Sequence, residues 1–217
     1  HFMYQALRQC TKNSLGIIKT RVAADLQGTA LYVQRPFFEV DVHLSSPMVK
    51  MNPSLDSIQT TINRTAQQVL FVNKQLPDWN QSEVPDSEKR HFFQRVTQDI
   101  EIVRVVLLLT GSVQGMRSSV EEFLAPYKAY DWMWKDDKNA KFKEFLGSNP
   151  PPEMYEEELR RFQGLTVEIE HIHGLHNVGA LSLNMKTIKS QLMNEAKQWK
   201  LLYADNLRKE AKVKMEA

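Results

Sequence analysis

Three histidines within six residues are the part of this sequence whose spacing comes nearest to a chemical site. His171, His173 and His176 stand beside Glu168 and Glu170, and imidazole and carboxylate groups together could bind a metal ion. A closed zinc site needs four well-placed ligands, and the sequence offers no cysteine partner or second histidine motif. A glycine inside the cluster places it at a helix end, where histidine interacts favourably with the helix dipole. We therefore predict a structural role and no metal ligands.

Other residues with catalytic potential lack the partners that catalysis requires. The stretch from Gly111 to Gly115 has two glycines four apart but no lysine, so it is not a phosphate-binding loop. We interpret this glycine pair as a bend or a close helix crossing. Cys10 is a single cysteine with no histidine near it in sequence. The sequence thus predicts no catalytic residue and no cofactor-binding residue.

Three tryptophans could serve either recognition or the core. Asp131–Asp136 holds two of them beside charged residues, which is typical of interface anchors. Buried aromatic side chains dominate core energetics, however, so we favour Trp134 in the core and Trp132 half-buried at a helix junction. Trp199 falls on the apolar stripe of the last helix, and we predict that it is buried.

Basic residues near the end of the chain could contact a microtubule or a membrane surface. These lysines are interleaved with acidic residues, which favours a solvated helix face instead. We expect two acid–base pairs four residues apart on this face, Asp205 with Lys209 and Glu210 with Lys214. The residues concerned are Lys209, Lys212 and Lys214, with Asp205, Glu210 and Glu216.

Composition excludes several classes of protein. The 28 basic and 26 acidic residues leave a formal charge of +2, which argues against a nucleic-acid-binding surface. The longest apolar run, 105–109, is far shorter than the roughly 20 residues that span a bilayer, so we predict no membrane partner. A lone cysteine favours a reducing compartment. No secretory signal opens the chain, and its first residue is not Met, so it is processed or is a piece of a longer chain.

Apolar periodicity predicts mostly helices in the first half of the chain. A first helix runs from Tyr4 to about Asp25, and a second begins with Asn52 as N-cap and Pro53 in the first helical position. Between them, 37–44 alternates apolar and polar residues and predicts a strand. Its partner is either 31–33 or Ala180–Leu183. The second helix carries a stripe formed by Leu55, Ile58, Ile62, Ala66 and Val69.

The second half of the chain predicts further helices separated by prolines. The prolines of 76–86 predict a loop. From residue 87 a long helix carries Phe92, Val96, Ile100, Val103 and Leu107 on one side. The next helix, after Pro126, is patterned by Tyr127, Tyr130, Trp134, Phe142 and Phe145. The prolines of 150–152 end it, and an amphipathic helix follows. The final helix has Asn184 as N-cap and buries Ile188, Leu192, Ala196, Trp199, Tyr203, Leu207 and Ala211.

The identities of the residues along the final helix carry a family resemblance. The string G-A-L-S-L-N from Gly179, followed by I-K, E-A-K, W-K and A-K along the helix, resembles the end of the tail of dynein heavy chains, where the tail leads into the linker. Pro36–Leu44 with Pro53–Gln59, and Glu122–Asp136, are similar to the same region in the same order. The matches resemble axonemal heavy chains, of inner and outer arms alike, more than cytoplasmic ones.

The resemblance implies a non-catalytic structural segment at the tail–linker junction of an axonemal dynein heavy chain. In that family the tail holds heavy, intermediate and light chains together, and the linker delivers the power stroke. ATP and Mg²⁺ would bind elsewhere, downstream of residue 217, and no cofactor would bind here. Expected partners are other dynein subunits and neighbouring parts of the same heavy chain, with microtubules reached through the complex. The expected location is the cytoplasm and cytoskeleton, in the axoneme of a cilium or flagellum.

We predict a mainly α fold of consecutive helical bundles in an elongated array, with one short β-strand pair. The predicted domains are a helix with an extended strand over 1–50, a helical bundle of the tail over 51–175, and the start of the long tail-to-linker helix over 176–217. Two other functions remain open. One is a free-standing α-helical adaptor or scaffold that binds partner helices, and the other is a metal-dependent enzyme built on the histidine cluster.

Overall fold

The computed structural model describes residues 2–22, 36–45, 48–75 and 92–216, and the fold is mainly α, as predicted. The helices of these ranges are α1 (Phe2–Val22), α2 (Leu55–Phe71), α3 (Phe92–Thr97), α4 (Ile100–Thr110), α5 (Ser112–Leu124), α6 (Trp132–Lys135), α7 (Lys138–Gly147), α8 (Pro152–Glu170) and α9 (Lys186–Glu216). Short 3-10 helices occupy Val72–Gln75 and Ala125–Tyr130. Within the described ranges, no helix has the length and apolar character needed to cross a membrane.

Four strands form one sheet in the order β2-β1-β4-β3: β1 (Phe38–Ser45), β2 (Met48–Asn52), β3 (Leu175–Val178) and β4 (Leu181–Asn184). The predicted strand is confirmed as β1, and the Ala180–Leu183 candidate is confirmed as its neighbour β4. The other candidate, 31–33, lies outside the described residues, as does the predicted loop of 76–86. The prediction missed β2, which pairs antiparallel with β1 and sets Val42 against Met51. The described part of the chain therefore holds four strands where a single pair was predicted.

The chain divides into two compact units, which are described separately. Unit 1 comprises His1–Glu39, Pro53–Glu121 and Asn177–Ser182, and unit 2 comprises Val40–Asn52, Glu122–His176 and Leu183–Ala217. The core of unit 1 contains the predicted stripe of α2 as far as Ala66, together with α1 residues Leu15 and Val22. These helices are thus held by the apolar faces that periodicity predicts.

The prediction of one continuous helix from residue 87 is wrong, because the helix is interrupted at Asp99 and again at Gly111. Phe92 and Val96 are buried as expected, but the next members of the predicted stripe are exposed, and Ile102 is buried in their place. The Asp99 carboxylate accepts from the amides of Glu101 and Ile102 and so begins a new helix. A new helix start shifts the phase of the apolar pattern, which explains the error. Gly111 is the bend that the glycine pair predicts.

Asp99 also holds α1 against the start of α4. Its Oδ2 accepts from Arg8 Nε at 2.5 Å, while Glu101 accepts from Arg8 and Lys12 at 3.0 and 2.6 Å. Desolvation raises the pKa of Asp99, but the Arg8 guanidinium and the amides of Ile102 and Glu101 outweigh it, so that the pKa lies below its ordinary value. The N-cap of α4 is therefore charged at neutral pH.

The single helix that was predicted after Pro126 is interrupted in the structure, so this prediction is corrected. The segment folds as a 3-10 helix, the four-residue α6 and then α7, which Asp137 caps by accepting from Asn139 and Ala140 amides. The predicted stop at the prolines is confirmed, since α7 ends at Gly147 and α8 begins at Pro152. Proline suits that first helical position because its missing donor has no helical partner to lose.

The N-cap of α2 is Ser54 and not Asn52, which is a correction to the sequence prediction. Ser54 Oγ accepts from the Ser57 amide at 3.2 Å, and the helix begins at Leu55. Asn52 ends β2 and pairs with Asp41 across the sheet, so its backbone belongs to the strand.

We expect Ser54→Ala to lower the free energy of unfolding by about 1 kcal/mol, because an orphan amide of α2 loses its acceptor. Asn52→Ala is the matched control, since Asn52 is exposed and does not cap the helix. Urea denaturation of the two variants would measure the difference. A larger loss from Asn52→Ala than from Ser54→Ala would contradict the assignment.

Candidate functional site: the contacts of the last helix

The buried face of α9 is the feature of unit 2 around which its other helices are arranged. Ile188, Leu192 and Ala196 are fully buried, and Trp199 and Tyr203 are nearly so. This confirms the predicted stripe over its first five positions. Leu207 is half-buried and Ala211 exposed, so burial fades toward the C-terminus. Asn184 accepts from the Lys186 amide at 3.1 Å, in keeping with its predicted capping role.

The first turns of α9 are fastened to strand β1 by side-chain hydrogen bonds. Gln191 pairs with both backbone groups of Leu44: its Oε1 accepts from the Leu44 amide at 2.7 Å, and its Nε2 donates to the Leu44 carbonyl at 3.2 Å. Thr187 Oγ1 donates to Asp41 Oδ1 at 2.7 Å. An amide side chain with both groups engaged fixes position along the strand as well as distance from it.

A lysine of α9 closes the end of α8. Lys189 Nζ donates to the carbonyl oxygens of Glu170 and Ile172 at 2.6 and 3.0 Å. The last carbonyls of a helix have no helical partner and carry a partial negative charge, so an ammonium group there is favourable. The Met185 amide also donates to the Gly174 carbonyl at 2.9 Å. The turn that follows α8 is therefore attached to the start of α9.

Two further side chains connect the middle of α9 to α6 and α7. Lys138 Nζ lies 2.5 Å from Glu195 Oε2, with both side chains about three-quarters buried. Trp199 Nε1 donates to the Met133 carbonyl at 2.8 Å in a buried environment. Since the Trp199 ring and the Met133 side chain are both buried, this hydrogen bond is shielded from competing water.

Aromatic rings fill the space between α9 and the helices around it. Phe142 and Tyr203 meet edge to face with ring centroids 4.8 Å apart, and Phe145 meets Tyr155 in the same way at 4.9 Å. Trp132 lies 5.4 Å from Trp199. Such pairs are worth about 0.5–1.5 kcal/mol each beyond the area that they bury. The cluster comprises Trp132, Phe142, Phe145, Tyr155, Phe162, Trp199 and Tyr203.

Near the end of α9, Glu210 accepts from the buried Tyr155 hydroxyl at 2.8 Å. Burial, followed by the hydrogen bond to Glu210, raises the pKa of Tyr155 to about 12. Glu210 therefore contacts α8, whereas the side chains of Lys214 and Glu216 lie outside the described part of the chain, so the predicted Glu210–Lys214 pair stays a prediction. Asp205 pairs with Arg208 at 3.5 Å and not with Lys209. Lys209 and Lys212 are exposed, as a solvated face requires.

The three histidines do not share a common contact. His171 Nδ1 lies 2.7 Å from the Val167 carbonyl, and the His176 ring stacks on Phe123 at 3.7 Å and 1°. His173 is exposed. Over the described ranges, no three His, Cys, Asp or Glu side chains are grouped as metal ligands. Cys10 is exposed on α1.

The tryptophans of 131–136 differ from the prediction at one position. Trp132 is half-buried as expected and packs beneath Arg161, whose guanidinium lies 4.9 Å from its ring centre. Trp134 is also half-buried, and Met133 is the fully buried residue, because α6 is a single turn with Met133 on its inner side. Within the described residues, Trp134 Nε1 is buried without a hydrogen-bond partner.

The polar residues of α9 that make these contacts were missed by the sequence analysis. Thr187, Gln191 and Glu195 are spaced four apart and continue into Trp199 and Tyr203, so they form one row beside the apolar stripe. A polar row of this spacing next to a buried stripe was the available signal. Its partners in β1, α6 and α7 lie 57 to 147 residues away in sequence, and no local pattern identifies them.

We expect Trp199→Ala to destabilise the chain by about 3–5 kcal/mol, because it removes a buried ring and leaves a cavity. Trp199→Phe should cost less, since it keeps an aromatic ring and mainly loses the hydrogen bond to Met133. Thermal melting of both variants is the measurement. An unchanged melting temperature for Trp199→Ala would show that the ring does not hold α9.

The raised pKa of Tyr155 gives an alkaline pH dependence. Folding favours the neutral hydroxyl, so this contribution to stability is present below the unfolded pKa of about 10 and is lost as pH rises toward about 12. Tyr155→Phe should remove that contribution. In a titration of tyrosinate absorbance, the signal missing from the variant should titrate near 12; a missing signal centred near 10 would contradict the buried contact.

Comparison with known proteins identifies the chain. No protein-family model matches it. It is 40% identical over 208 residues to the dynein gamma chain of the flagellar outer arm of Chlamydomonas reinhardtii, a match that covers 96% of this chain and 4% of that protein. It is 30% identical over 250 residues to dynein axonemal heavy chain 8 of Mus musculus, covering 99% of this chain and 5% of the relative.

Axonemal heavy chain 5 of Mus musculus is 22% identical over 271 residues, covering the whole chain and 6% of the relative. The chain thus spans about one twentieth of the length of these relatives. Because its homologues are axonemal dynein heavy chains and the matches run along nearly all of its residues, the chain belongs to the family of axonemal dynein heavy chains.

Proposed function

We propose that the chain is a non-catalytic mechanical segment of an axonemal dynein heavy chain, at the junction between the tail and the linker. It works in the axoneme of a cilium or flagellum, as part of the cytoskeleton. ATP and Mg²⁺ bind elsewhere in the full-length motor. Its partners are other heavy, intermediate and light chains and neighbouring parts of the same heavy chain, and the complex brings it to microtubules.

The observation that carries this proposal is the set of contacts along α9. Between Thr187 and Glu210, side chains of this one helix bond to β1, α6, α7 and α8. A force applied along α9 is therefore shared by several elements of unit 2. Close-packed interiors of this kind transmit strain with little compression, which is the property that a mechanical segment requires.

The relatives favour the heavy-chain proposal over a free-standing adaptor. Each relative named above is a dynein heavy chain, and the matches cover 96% to 100% of this chain. The enzyme alternative has no geometric support, because the described histidines make separate contacts to Val167 and Phe123.

We expect the double variant Thr187→Ala, Gln191→Ala in a full-length heavy chain to uncouple hydrolysis from movement. It removes three hydrogen bonds between α9 and β1, each worth about 0.5–1.5 kcal/mol, while leaving the buried stripe intact. The purified motor should hydrolyse ATP at the unchanged rate but drive slower microtubule gliding. Lys197→Ala, at an exposed position of α9, is the matched control.

Two outcomes would contradict the proposal. Unchanged gliding in the double variant would show that the α9–β1 contacts carry no force. Loss of ATP hydrolysis in a correctly folded motor would show that the segment takes part in catalysis. Gln191→Glu keeps the size of the side chain and the acceptor for the Leu44 amide, but it places a charged oxygen in place of the donor to the Leu44 carbonyl. Slower gliding of this variant with an unchanged melting temperature would separate uncoupling from unfolding.

A further inference from the structure

Helix α4 in unit 1 is apolar on two opposite sides. Ile102 and Leu109 are 1% exposed and face the core, whereas Ile100, Leu107 and Leu108 are 68%, 64% and 56% exposed. A helix that is hydrophobic all round is typically buried on all sides. Among the described residues, nothing covers the outer side. We call the exposed residues Ile100, Val103, Leu107 and Leu108 the α4 face.

A groove lies between α4 and α1. It has a volume of about 1110 Å³ and its floor contains Gly16, Ile17 and Val105. A Cβ placed on Gly16 would meet nothing within 4 Å, so the groove is open at that point. A second cavity of about 280 Å³ lies between Leu108, Val22 and Met116. The groove and the cavity together can accommodate large apolar side chains.

The rim of the groove is cationic. Lys12, Lys19 and Arg21 border it, and Arg104 stands among the exposed apolar residues of α4. Lys12 is paired with Glu101, and Arg21 lies 4.7 Å from the ring centre of Phe37. Lys19 and Arg104 have no ion-pair partner in the part of the chain that the structure describes. The surface therefore combines apolar cavities with two positive charges that no described residue pairs.

We propose that the α4 face binds an amphipathic helix of the same heavy chain, from outside residues 1–217, with apolar residues on one side and carboxylates flanking them. Ile100, Val103 and Leu107 are spaced at i, i+3 and i+7, which is the repeat that a partner helix matches when it lies alongside. Carboxylates beside those apolar residues complement Lys19 and Arg104.

The length of the relatives favours the same polypeptide as the source of this helix. The chain covers 4% to 6% of their lengths, so most of such a heavy chain lies outside the segment described here. A partner on the same chain acts at a high effective concentration and needs no large interface to remain bound. An apolar face that the other described residues leave exposed is what a permanent neighbour would cover.

The test is a photo-cross-linking amino acid at Leu107 of the full-length heavy chain within its complex, followed by mass spectrometry of the linked peptides. We expect the cross-link to reach an acidic amphipathic segment of the same polypeptide outside residues 1–217. The same group at Thr60, on the exposed side of α2, should give no such product. A link to a separate subunit, to a second heavy chain or to residues 1–217, or no link from Leu107, would overturn the proposal.

Charge reversal tests the chemistry of the partner. Arg104→Glu together with Lys19→Glu should reduce the Leu107 cross-link several-fold, while Arg104→Lys with Lys19→Arg should retain it. Equal yields from the reversed and conservative pairs would overturn the acidic character of the helix. The inference uses the proposed function only in placing the chain within a longer heavy chain. Its measurement is a contact and not a force, so its failure is distinguishable from a failure of the proposed role of α9.

Discussion

A long helix gains little stability from its own backbone and is held mainly by what its buried face touches. In unit 2 that constraint falls on α9, whose inner side is buried from Ile188 to Tyr203. Two of the neighbouring elements depend on it directly: α6 has a single turn whose Met133 carbonyl accepts from Trp199, and Leu44 of β1 pairs both backbone groups with Gln191. Each of them is completed by a side chain of α9, so the arrangement of unit 2 depends on the position of this helix.

In unit 1, helix α4 is held by its N-cap as well as by its buried side, and part of its apolar surface stays exposed. Asp99 accepts from two amides and from Arg8, and so fixes both the start of α4 and its contact with α1. That start decides which side of α4 faces inward. Because α4 has apolar residues on two opposite sides, turning Ile102 and Leu109 inward necessarily turns Ile100 and Leu107 outward. The exposed face is therefore a consequence of the cap together with the composition of the helix.

How much the sequence predicts follows from the range of the interaction concerned. The stripes of α2 and α9 and the strand β1 were predictable, because each is a local period that burial reinforces. The phase of α4 was not, since Asp99 resembles any other polar residue of a helix until its contact with Arg8 is known. Ser54 and Asn52 are both favourable N-cap residues, and only the pairing of Asn52 with Asp41 in the sheet excludes Asn52 as the cap of α2.

The candidate site was predictable in its apolar half only. Trp199 and Tyr203 follow from periodicity, whereas Gln191 and Glu210 are polar residues whose partners lie far away in sequence. For Glu210 the local i+4 rule pointed only to Lys214 and did not identify the buried Tyr155 hydroxyl, which lies 55 residues away in sequence.

The spacing of the row on α9 has a mechanical consequence. If the helix moved along its axis by one turn, each side chain of the row would take the place of the side chain four residues before it and would face that residue's partner. Glu195 would then face Leu44, and a carboxylate cannot donate to the Leu44 carbonyl. Trp199 would meet Lys138 in place of Glu195, and the ion pair and the indole hydrogen bond would be lost in the same movement. Since no single contact can be exchanged while the others persist, intermediate positions have no compensating interactions. The register of α9 is thereby fixed as a unit, which is the condition for a helix to pass on a displacement in place of absorbing it.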